Sequence, residues 1–477
     1  MHKYFFDVTD IALYVERETT ISGIQRVSLE VIRRMVQRHG PDRVKLALWD
    51  RKAQSYVALE AGALTGMETF DADVLAQIFT GRAVRAAETV PRVLARYRTS
   101  RPKYVFHYLL TEVQAWRGNT RYFEKRGSTL EAWPRDKAQA RQASAGGLKA
   151  AAPTARRPVR EILSDGDQII IMGPTWDMPE LGTHLSMLKQ DHGARVSLLV
   201  HDLIPLIKPA HIAGDFSKTF HDWLLRSGEY CARYFANSEN TAKDLRQFLA
   251  EKQIELPVNV VPLAQALGAE PVPPASEDSF EAQLNHIKGV RRHILTMAKT
   301  PYVLVVGTME SRKNLWRLLQ VWARLAQDRD MDAPRLVLAG RIGWHIEDVQ
   351  DMLRATSNLQ GWVSIAERPS DRELAYLYEN CDFTAMVSLY EGWGLPIGEG
   401  LSFGKTGVVA DNSAMPEVGQ DLVEYCDAHS ISSIYQACRK LISDPTHKAA
   451  LEAKIAQTTL RNWDDVASDF VRHLDPD

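Results

Sequence analysis

The chain of 477 residues is short of cysteine, of unbalanced charge and of long apolar runs. Its cysteines have no paired spacing, which argues against a disulfide framework and against a zinc site; they are Cys231, Cys381, Cys426 and Cys438. The formal net charge of −2 provides no overall field that would attract nucleic acid. No stretch approaches the ~20 apolar residues that a membrane-spanning helix requires. We therefore expect reduced cysteines that fill packing positions, and no nucleic-acid partner.

Two common sequence signals are also missing. The N-terminal sequence MHKYFFDVTDIALYVERE reaches charged residues too early for a secretory signal, so we expect the protein to stay in the cytoplasm. No Gly-x-Gly-x-x-Gly follows any of the predicted strands, which argues against a NAD-dependent dehydrogenase.

The small net charge hides a basic segment at residues 81–160. This segment holds 18 Lys and Arg residues but 5 Asp and Glu residues. It includes AQARQASAGGLKAAAPTARRP, which is rich in alanine and poor in large apolar residues and so predicts a flexible insertion. Apolar residues between Val84 and Leu94 stand among its arginines, although Pro91 interrupts any single helix there. An anionic membrane surface or an anionic ligand would suit such a segment, and a solvated loop without a partner is the alternative.

Strand and helix signals alternate from Val303 onward. The apolar runs YVLVVG, RLVLAG, WVSIA, FTAMVS and TGVVAD each precede a segment with helical spacing. Such alternation predicts a parallel, doubly wound sheet that is covered on both faces. The first part of the chain alternates less regularly, in YFFDV, VKLALW, QIIIMG, VSLLVHD, YFANSE and VNVVPL. We therefore predict an α/β protein with two Rossmann-like domains.

The domain boundaries follow from composition. We place the N-terminal domain at residues 1–268, with the basic insertion inside it, and a linker rich in proline and acid at 269–300. The C-terminal domain then covers residues 301–460. The last segment, 461–477, has helical spacing and a tryptophan, so we expect a helix that docks back onto the N-terminal domain.

A basic turn follows the first strand of the C-terminal domain. In TMESRKN, Arg312 and Lys313 stand just before a predicted helix. Cations are poorly placed at a helix N-terminus, because the helix dipole favours anions there. Open parallel sheets bind ligands at the carboxyl ends of their strands, and Arg and Lys recognise phosphate well. An external anion at this turn would resolve the conflict, and a solvated pair of cations is the alternative.

Two acids bracket a second helix start, in YEGWGLPIGEG. Glu391 precedes the glycine turn and Glu399 lies about one helical turn beyond Pro396. A helix N-terminus attracts phosphates, so Glu399 would face the hydroxyl groups of a ligand. The alternative is that Glu391 caps the turn and Glu399 is a solvated helix residue.

Two further candidate positions lie in the N-terminal domain, at the carboxyl ends of predicted strands, where parallel sheets bind ligands. His201 and Asp202 follow the run VSLLV, and Gly23 in TISGIQRV stands at the entrance to the first long helix. His201 is either a residue of the cleft or a packed histidine that Asp202 holds. The glycine alone is a weak signal.

Together these motifs resemble retaining glycosyltransferase family 4, whose members have the GT-B fold and use nucleotide sugars. The resemblance rests on VVGTMESRKN, LVLAG, HDLIP and the run from RELAYLYENC to AMPEV; it is close over residues 300–445, looser over 1–60 and 165–265, and absent from 81–160. It implies two Rossmann-like domains that face a central cleft. It also departs from the family pattern, since Thr308 stands where many members carry an arginine and Trp393 where phenylalanine is usual.

The resemblance assigns roles residue by residue. Arg312 and Lys313 would grip the donor diphosphate, Glu391 would lie beside the donor sugar and Glu399 would bond the ribose hydroxyls. His201 would lie near the reacting carbon. The implied catalytic residues are His201, Glu391 and Lys313, and the donor-binding residues are Gly23, Thr308, Arg312, Lys313, Gly394, Leu395, Pro396 and Glu399.

The expected activity is retaining transfer of a hexose to a glycan or lipid-linked acceptor in surface polysaccharide assembly. GDP-mannose is favoured as the donor by overall similarity, and UDP-hexoses are also compatible. The alternatives are a sugar-nucleotide epimerase of the same fold and a catalytically silent sugar-binding subunit.

We expect neither a metal nor a cofactor other than the nucleotide sugar. Two Asp-x-Asp sequences, at 71–73 and 165–167, have the spacing of a metal-chelating motif. Helix capping and a turn explain both of them, and the Arg312 and Lys313 pair already supplies the positive charge that a metal would bring.

Overall fold

The computed structural model describes most of the chain. The residues described are 2–16, 18, 21–64, 70–80, 91, 93–94, 101–124, 126, 128–130, 132–134, 136–137, 156–267, 287 and 289–475. Contacts divide the chain into two compact units. The first comprises Met1–Tyr14, Thr20–Phe70 and Arg156–Asp477, and the second comprises Val15–Thr19 and Asp71–Ala155.

The first sheet has eight strands. They are β1 Tyr4–Asp7, β2 Val44–Asp50, β3 Ser55–Glu60, β4 Arg157–Pro158, β5 Gln168–Ile171, β6 Arg195–Val200, β7 Cys231–Ala236 and β8 Val258–Val260. Their order is β4-β3-β2-β1-β5-β6-β7-β8, and all neighbours are parallel except at one edge, where β3 pairs antiparallel with both β2 and β4. The sequence did not indicate this antiparallel edge. Because β4 bonds to β3, the chain rejoins the first sheet before residue 160, the predicted end of the insertion.

The second sheet has six strands, all parallel. They are β9 Tyr302–Val306, β10 Arg335–Gly340, β11 Val363–Glu367, β12 Phe383–Met386, β13 Gly407–Ala410 and β14 Glu424–Cys426, in the order β11-β10-β9-β12-β13-β14. Strands β10 and β11 lie on one side of β9, and β12, β13 and β14 lie on the other side, so the strand order switches between β9 and β12. Ligands of doubly wound sheets bind at such a switch point. The short strand β14 was not predicted.

Helices cover both sheets. Apart from Val15, the last residue of α1, those of the first unit are α1 Thr9–Val15, α2 Gly23–His39, α6 Pro179–His192, α7 Ile204–Ile207, α8 Phe216–Tyr230, α9 Glu239–Glu251, α10 Arg292–Met297, α11 Leu315–Leu325, α12 Glu347–Ala355, α13 Asp371–Asn380, α14 Leu395–Ser402, α15 Met415–Gly419, α16 Ile431–Ser443, α17 Pro445–Gln457 and α18 Trp463–Leu474. Short 3-10 helices occur at Ala61–Leu64, Val159–Glu161, Pro209–His211 and Ser311–Lys313, and a left-handed turn occurs at Ser357–Gly361.

Helix α18 lies on the first sheet, although it follows the second sheet in sequence. The Phe470 ring packs against Phe235 of β7 with 4.7 Å between ring centroids. Just after the helix, Asp475 accepts a hydrogen bond of 2.6 Å from the Tyr4 hydroxyl of β1. The end of the described chain, which follows the second sheet in sequence, therefore packs on the first sheet of the same unit.

The second unit contains the helices α3 Ala72–Thr80, α4 Arg101–Trp116 and α5 Thr120–Glu124. A small apolar cluster holds it together; its buried residues are Val93, Leu94, Phe123 and Trp133. The predicted flexible stretch runs from residue 138 to Pro158, and its residues 138–155 lie outside the described residues, as do Val84 and Val90. Its last two residues, Arg157 and Pro158, form β4, so the prediction of flexibility is wrong there.

The cysteines are buried free thiols, in agreement with the packing role expected from the sequence. In the part of the chain that the structure describes, no helix combines the length and the apolar character that crossing a membrane would need.

Candidate functional site

The site is built from loops at the carboxyl ends of β9, β10 and β12. Gly307 directly follows β9 and Gly340 is the last residue of β10, with φ of 140° and 156°, conformations that favour glycine. A Cβ on Gly340 would lie 1.9 Å from the Gly307 carbonyl oxygen. The two strand ends can approach each other because Gly340 carries no side chain.

Glu391 lies at the centre of a cluster of charges. Its carboxylate is 2.7 Å from Arg312 Nη1 and 2.7 Å from Lys313 Nζ, and the residue is 7% exposed. Burial alone would raise the pKa of Glu391, but the two cations outweigh burial and lower that pKa to about 2. Glu391 is therefore ionised at every pH at which the protein would be assayed.

Arg312 and Lys313 have internal counter-ions. Arg312 pairs with Glu310 as well as with Glu391, and its guanidinium also donates to the Tyr390 carbonyl at 2.5 Å. The conflict with the helix dipole is thus relieved within the protein, and an external anion is not needed to explain it. The alternative of a solvated cation pair is wrong, because both side chains are largely buried.

Asn314 holds the basic turn in place. It adopts a left-handed conformation with φ of 60°, immediately before α11. Its side-chain amide donates to the carbonyls of Val387 and Ala428 at 2.9 and 2.7 Å. These bonds fix the turn after β9 against the chain segments that follow β12 and β14.

Glu399 has different surroundings, although it is equally buried. It lies on α14, which begins after Gly394 with φ of 114°, and it is 4% exposed. Its carboxylate accepts a hydrogen bond of 2.7 Å from the Tyr378 hydroxyl. Burial raises the pKa of Glu399, while Arg26 and the Tyr378 bond oppose the rise. A solvated helix residue, the alternative interpretation, is therefore wrong.

His201 lies at the end of β6. Its Nε2 is 2.6 Å from the Met172 carbonyl oxygen, and burial lowers the pKa of the imidazole. Since a carbonyl oxygen only accepts, a neutral His201 carries its proton on Nε2 and leaves Nδ1 as an acceptor. Asp202 accepts a hydrogen bond from the Ile204 backbone N–H at 2.9 Å, so its carboxylate is used to shape the loop.

The Glu391 turn touches the His201 loop directly. A Cβ on Gly392 would lie 2.0 Å from the His201 carbonyl oxygen. Ser238 and Thr241 donate their hydroxyls to the Gly392 carbonyl at 2.7 and 3.1 Å. Only glycine permits this approach between the loops of the two sheets.

The predicted donor-binding residues Gly23, Leu395 and Pro396 lie at a second point where helices of the two sheets approach closely. A Cβ on Gly23, at the start of α2, would lie 3.2 Å from Leu395 Cδ1 at the start of α14. Pro396 occupies the first turn of α14. Two helix N-termini, one from each sheet, therefore begin beside each other.

A cavity of about 510 Å³ opens beside these loops. His201, Asp202, Glu310, Arg312 and Arg341 form its polar lining. Its apolar wall includes Trp176, Phe216, Phe220, Trp223 and Trp344. The cavity thus joins the charged cluster to an aromatic surface of the first sheet.

The structure adds residues that the sequence did not single out. Glu310 stands within the quoted TMESRKN motif and could have been noticed as a counter-ion. Tyr378 was part of an ordinary amphipathic helix pattern. Arg26 pairs with Asp371 at 2.7 Å across 345 positions of sequence, and no local signal predicts such a contact.

The Asp-x-Asp sequences have structural contacts. Asp71 accepts from the Val74 backbone N–H in the first turn of α3. Asp167 accepts from the backbone N–H groups of Lys3 and Ser164 at 2.7 and 2.9 Å. Within the described residues, no group of three or more His, Cys, Asp or Glu side chains could hold a metal ion.

Comparison with known proteins gives matches of two kinds. Residues 290–458 match the family model described as glycosyl transferases group 1. The chain is 31% identical over 171 residues to the O-antigen chain mannosyltransferase B of Escherichia coli, which covers 36% of this chain and 44% of the relative. It is 25% identical over 268 residues to the serotype-specific mannosyltransferase WbdA of Escherichia coli, covering 56% of this chain and 32% of the relative. The matches thus span less than half the length of these curated relatives.

The solved structures extend the likeness over the whole chain. Anabaena HepE in complex with UDP and glucose has a TM-score of 0.56, with 13% sequence identity and coverage of 99% of each chain. HepE in complex with UDP-glucose has the same TM-score and coverage. At this identity the likeness concerns the fold. The chain has the GT-B fold, two Rossmann-like domains of parallel-sheet type, and its residues 290–458 are similar to the group 1 glycosyl transferases.

Proposed function

We propose that the protein is a retaining glycosyltransferase of the family 4 type, which moves a hexose from a nucleotide-diphosphate sugar to a glycan or lipid-linked acceptor. The observation that carries the proposal is the buried cluster of Arg312, Lys313 and Glu391 at the switch point of the second sheet, in contact with the His201 loop of the first. The group 1 match over the same residues supports it. Both relatives are mannosyltransferases, which favours mannose as the sugar, and the first is an O-antigen chain enzyme, which favours surface polysaccharide assembly as the process.

The chemistry of sugar transfer suits this cluster. Breaking the bond between sugar and phosphate develops negative charge on the diphosphate and positive charge on the anomeric carbon. Arg312, Lys313 and the N-terminus of α14 would stabilise the leaving diphosphate, and the fixed Glu391 carboxylate would favour the positive centre. Removal of one such fixed donor typically costs on the order of 2.7–4 kcal/mol of transition-state stabilisation.

The two remaining assignments concern the ribose and the acceptor side. Glu399 is a buried hydrogen-bond acceptor near the α14 N-terminus. It would accept hydrogen bonds from the ribose hydroxyls in place of some of its present contacts, such as that with the Tyr378 hydroxyl. Neutral His201 would lie near the reacting carbon, where it can accept a proton or a hydrogen bond through Nδ1. Gly23, Thr308, Gly394, Leu395 and Pro396 would supply close backbone or small side-chain contacts to the donor.

We propose that the reaction needs no metal, because the protein itself supplies the cations for the leaving group. Activity should survive chelation of divalent ions by EDTA. A complete loss that manganese restores would return the Asp-x-Asp sequences to consideration.

The donor is identified most directly by thermal unfolding with nucleotides. A ligand that binds only the folded protein raises its apparent stability by about 2.7 kcal/mol at 100 times the dissociation constant. We expect GDP or UDP to stabilise the wild type, with GDP favoured, and Lys313→Ala to reduce this effect. Lys218→Ala, an exposed lysine on α8, is the matched control. Equal stabilisation of the wild type and Lys313→Ala would contradict the site assignment.

Incubation of the nucleotide sugar without acceptor separates the transferase from its alternatives. An epimerase of the same fold would convert the donor alone into a second nucleotide sugar. A silent sugar-binding subunit would bind the donor and leave it unchanged with every acceptor. The transferase would release nucleoside diphosphate slowly by itself and faster once an acceptor glycan is added.

We also propose that the second unit binds an anionic membrane surface on the cytoplasmic side. One face of α4 packs on the small apolar cluster through Tyr108 and Ala115. The other face exposes a stripe of large apolar side chains at helical spacing: Val105, Phe106, Leu109, Val113 and Trp116. Phe106 and Leu109 are 64% and 60% exposed, and Trp116 is 88% exposed.

The positive charge of the surrounding segment favours an anionic bilayer as the partner of this apolar stripe. The surrounding segment 81–160 has 18 basic and 5 acidic residues. An amphipathic helix with basic neighbours and an exposed tryptophan is typical of interfacial membrane binding. Each Lys or Arg near an anionic surface adds about 1 kcal/mol.

Liposome flotation tests this part of the proposal. The wild type should float with vesicles that contain phosphatidylglycerol, and salt should weaken the binding. The triple variant Phe106→Ser, Leu109→Ser, Trp116→Ser should stay unbound, while the control Trp316→Ser, an exposed tryptophan on α11, should float. Binding to neutral vesicles alone, or binding by the triple variant, would contradict the proposal.

A further inference from the structure

Both neighbours of Glu391 in the chain are bonded to helix α9 of the first sheet. On one side, the Tyr390 hydroxyl donates a hydrogen bond of 2.5 Å to the Asp244 carboxylate. On the other side, the Gly392 carbonyl accepts two hydroxyl groups from the start of the same helix. The acid at the centre of the charged cluster is therefore held on both sides by an element of the other sheet.

The Tyr390 side chain and the Tyr390 backbone are bonded to different sheets. The hydroxyl also accepts a hydrogen bond of 2.9 Å from the Asn240 side-chain amide, so both of these side-chain bonds join it to α9. The Lys208 ammonium, just after α7, lies 5.9 Å from the centre of the ring. The Tyr390 carbonyl accepts from Arg312 of the second sheet at 2.5 Å. Tyr390 thus connects α9 directly to the charged cluster.

A further contact fixes the start of α9 on the second sheet. Glu417 of α15 accepts from the backbone N–H groups of Glu239 and Asn240 at 2.8 and 2.9 Å. The first N–H groups of a helix have no partner inside the helix, and a carboxylate there also interacts favourably with the helix dipole. Glu417 therefore supports the bonds that α9 makes to the residues beside Glu391.

These contacts become important once a donor is bound. The Glu391 carboxylate is held by Arg312 and Lys313, the same two cations that would bind the leaving diphosphate. Its backbone N–H donates to the Ser413 hydroxyl at 2.9 Å. When the cations share their charge with a diphosphate, the bonds of the neighbouring residues still hold the acid in place.

We propose that Tyr390 is a positioning residue of the transfer reaction, which holds Glu391 at the reacting sugar through its bond to Asp244 and does not itself bind the donor. This inference rests on the proposed function, because it presupposes that Glu391 acts beside the donor sugar. Catalysis is sensitive to such placement, since a displacement of ~1 Å can cost about 100-fold in rate. Loss of the Tyr390 hydroxyl keeps the backbone bond to Arg312, so turnover should fall while nucleotide binding is retained.

The test measures turnover and nucleotide binding separately in the full-length protein. Release of nucleoside diphosphate from saturating GDP-mannose or UDP-glucose, with an oligosaccharide acceptor, gives kcat, and calorimetry with GDP or UDP gives the dissociation constant. Tyr390→Phe should lower kcat about tenfold and leave the dissociation constant within about twofold. Tyr435→Phe, which removes a hydroxyl bonded to Asp328 at 2.9 Å, is the matched control and should change neither quantity.

Variants of the partner residue keep the test independent of any loss of folding. Asp244→Asn keeps an oxygen that can accept the Tyr390 hydroxyl and should retain most of the turnover. Asp244→Ala removes the acceptor and should lower kcat to a similar extent as Tyr390→Phe. The double variant Tyr390→Phe, Asp244→Ala should lose little more than either single variant, because residues that act through one shared bond are not additive. Losses that multiply in the double variant would overturn the inference.

The outcomes separate the inference from the proposed function. A wild type that transfers sugar, together with a Tyr390→Phe variant of equal kcat, would overturn the inference and leave the function standing. Equal falls in kcat and in nucleotide affinity would also overturn it, because the side chain would then act on donor binding. A fall in kcat alone, reproduced by Asp244→Ala and absent from Tyr435→Phe, would support it. A wild type that neither binds GDP or UDP nor releases one from a nucleotide sugar would overturn both.

Discussion

The two acidic ends of the segment from Glu391 to Glu399 show how the same residue type acquires opposite properties. Both glutamates are buried, and eight positions separate them. Beside Glu391 two cations lower the pKa to about 2, whereas burial raises the pKa of Glu399, whose hydrogen-bond partner is the neutral Tyr378 hydroxyl. Burial alone therefore predicts neither the charge nor the role of an acid; its partners decide both.

The contrast has opposite consequences for stability against pH. The folded-state pKa of Glu391 is depressed, so its ionised form stabilises the fold above the ordinary carboxylate pKa, and that contribution is lost as the pH falls toward 2. The folded-state pKa of Glu399 is raised, so its burial disfavours the ionised form. That cost is present at neutral pH and disappears as the pH falls and the group takes up a proton.

The largest expected effect is that of Glu391→Ala. The substitution leaves Arg312 and Lys313 without the carboxylate they share, and breaking a buried ion pair by removing one partner costs about 3–5 kcal/mol. Urea unfolding at pH 7 measures the loss. Turnover should fall more strongly than donor affinity, because the proposed role of Glu391 is at the reacting centre. A variant as stable and as active as the wild type would contradict the account of this cluster.

Gly392→Ala should have the next largest effect. The new Cβ would meet the His201 carbonyl oxygen at 2.0 Å, so the two loops must separate. Overpacking of this kind costs about 1–3 kcal/mol, and the separation should also lower turnover. The control is Gly62→Ala, whose Cβ would find its nearest neighbour at 3.6 Å. If both variants unfold at the same urea concentration, the close approach at Gly392 is not a feature of the protein in solution.

Tyr378→Phe should have the smallest effect, and the effect should depend on pH. The Tyr378 hydroxyl favours the ionised form of Glu399, so its removal raises the pKa of Glu399 further. A typical hydrogen bond contributes about 0.5–1.5 kcal/mol, and this loss should be greatest where Glu399 is ionised and shrink as the pH falls and Glu399 takes up a proton. Tyr425→Phe, which loses an exposed bond to the Gln420 carbonyl, should show no such dependence. A loss for Tyr378→Phe that does not change as the pH is lowered toward the acid limit of the folded state would contradict this account of Glu399.

Much of the second sheet could be predicted from the sequence, because its strands are continuous apolar runs and its helices are amphipathic. The strands of Val303, Phe383 and their neighbours needed no long-range information. The antiparallel strand Ser55–Glu60 and its partner Arg157–Pro158 escaped prediction, since about 100 residues separate them and two residues carry no pattern.

The candidate site was predictable in its composition and not in its pairing. The motifs identified Arg312, Lys313 and Glu391 separately, whereas the structure shows that they bond to one another. The argument from the helix dipole explained the pair of cations by an external anion. Because Glu310 and Glu391 already act as counter-ions, the dipole alone does not call for such an anion, and the binding of a diphosphate there stays a prediction. Arg26 reaches the site from a distant part of the chain, and Arg341 from the end of the neighbouring strand β10.

The measurement that tests the central claim most directly is the anomeric configuration of the product. The protein would be incubated with GDP-mannose, or with the UDP-hexose that thermal unfolding selects, and with an oligosaccharide acceptor, and the new linkage would be assigned by NMR. We predict release of the nucleoside diphosphate together with a glycoside that keeps the configuration of the donor, and at least a hundredfold slower formation with Lys313→Ala, as expected from about 2.7–4 kcal/mol for one fixed donor. An inverted linkage would contradict the retaining mechanism, and equal rates for the wild type and Lys313→Ala would contradict the role of the charged cluster.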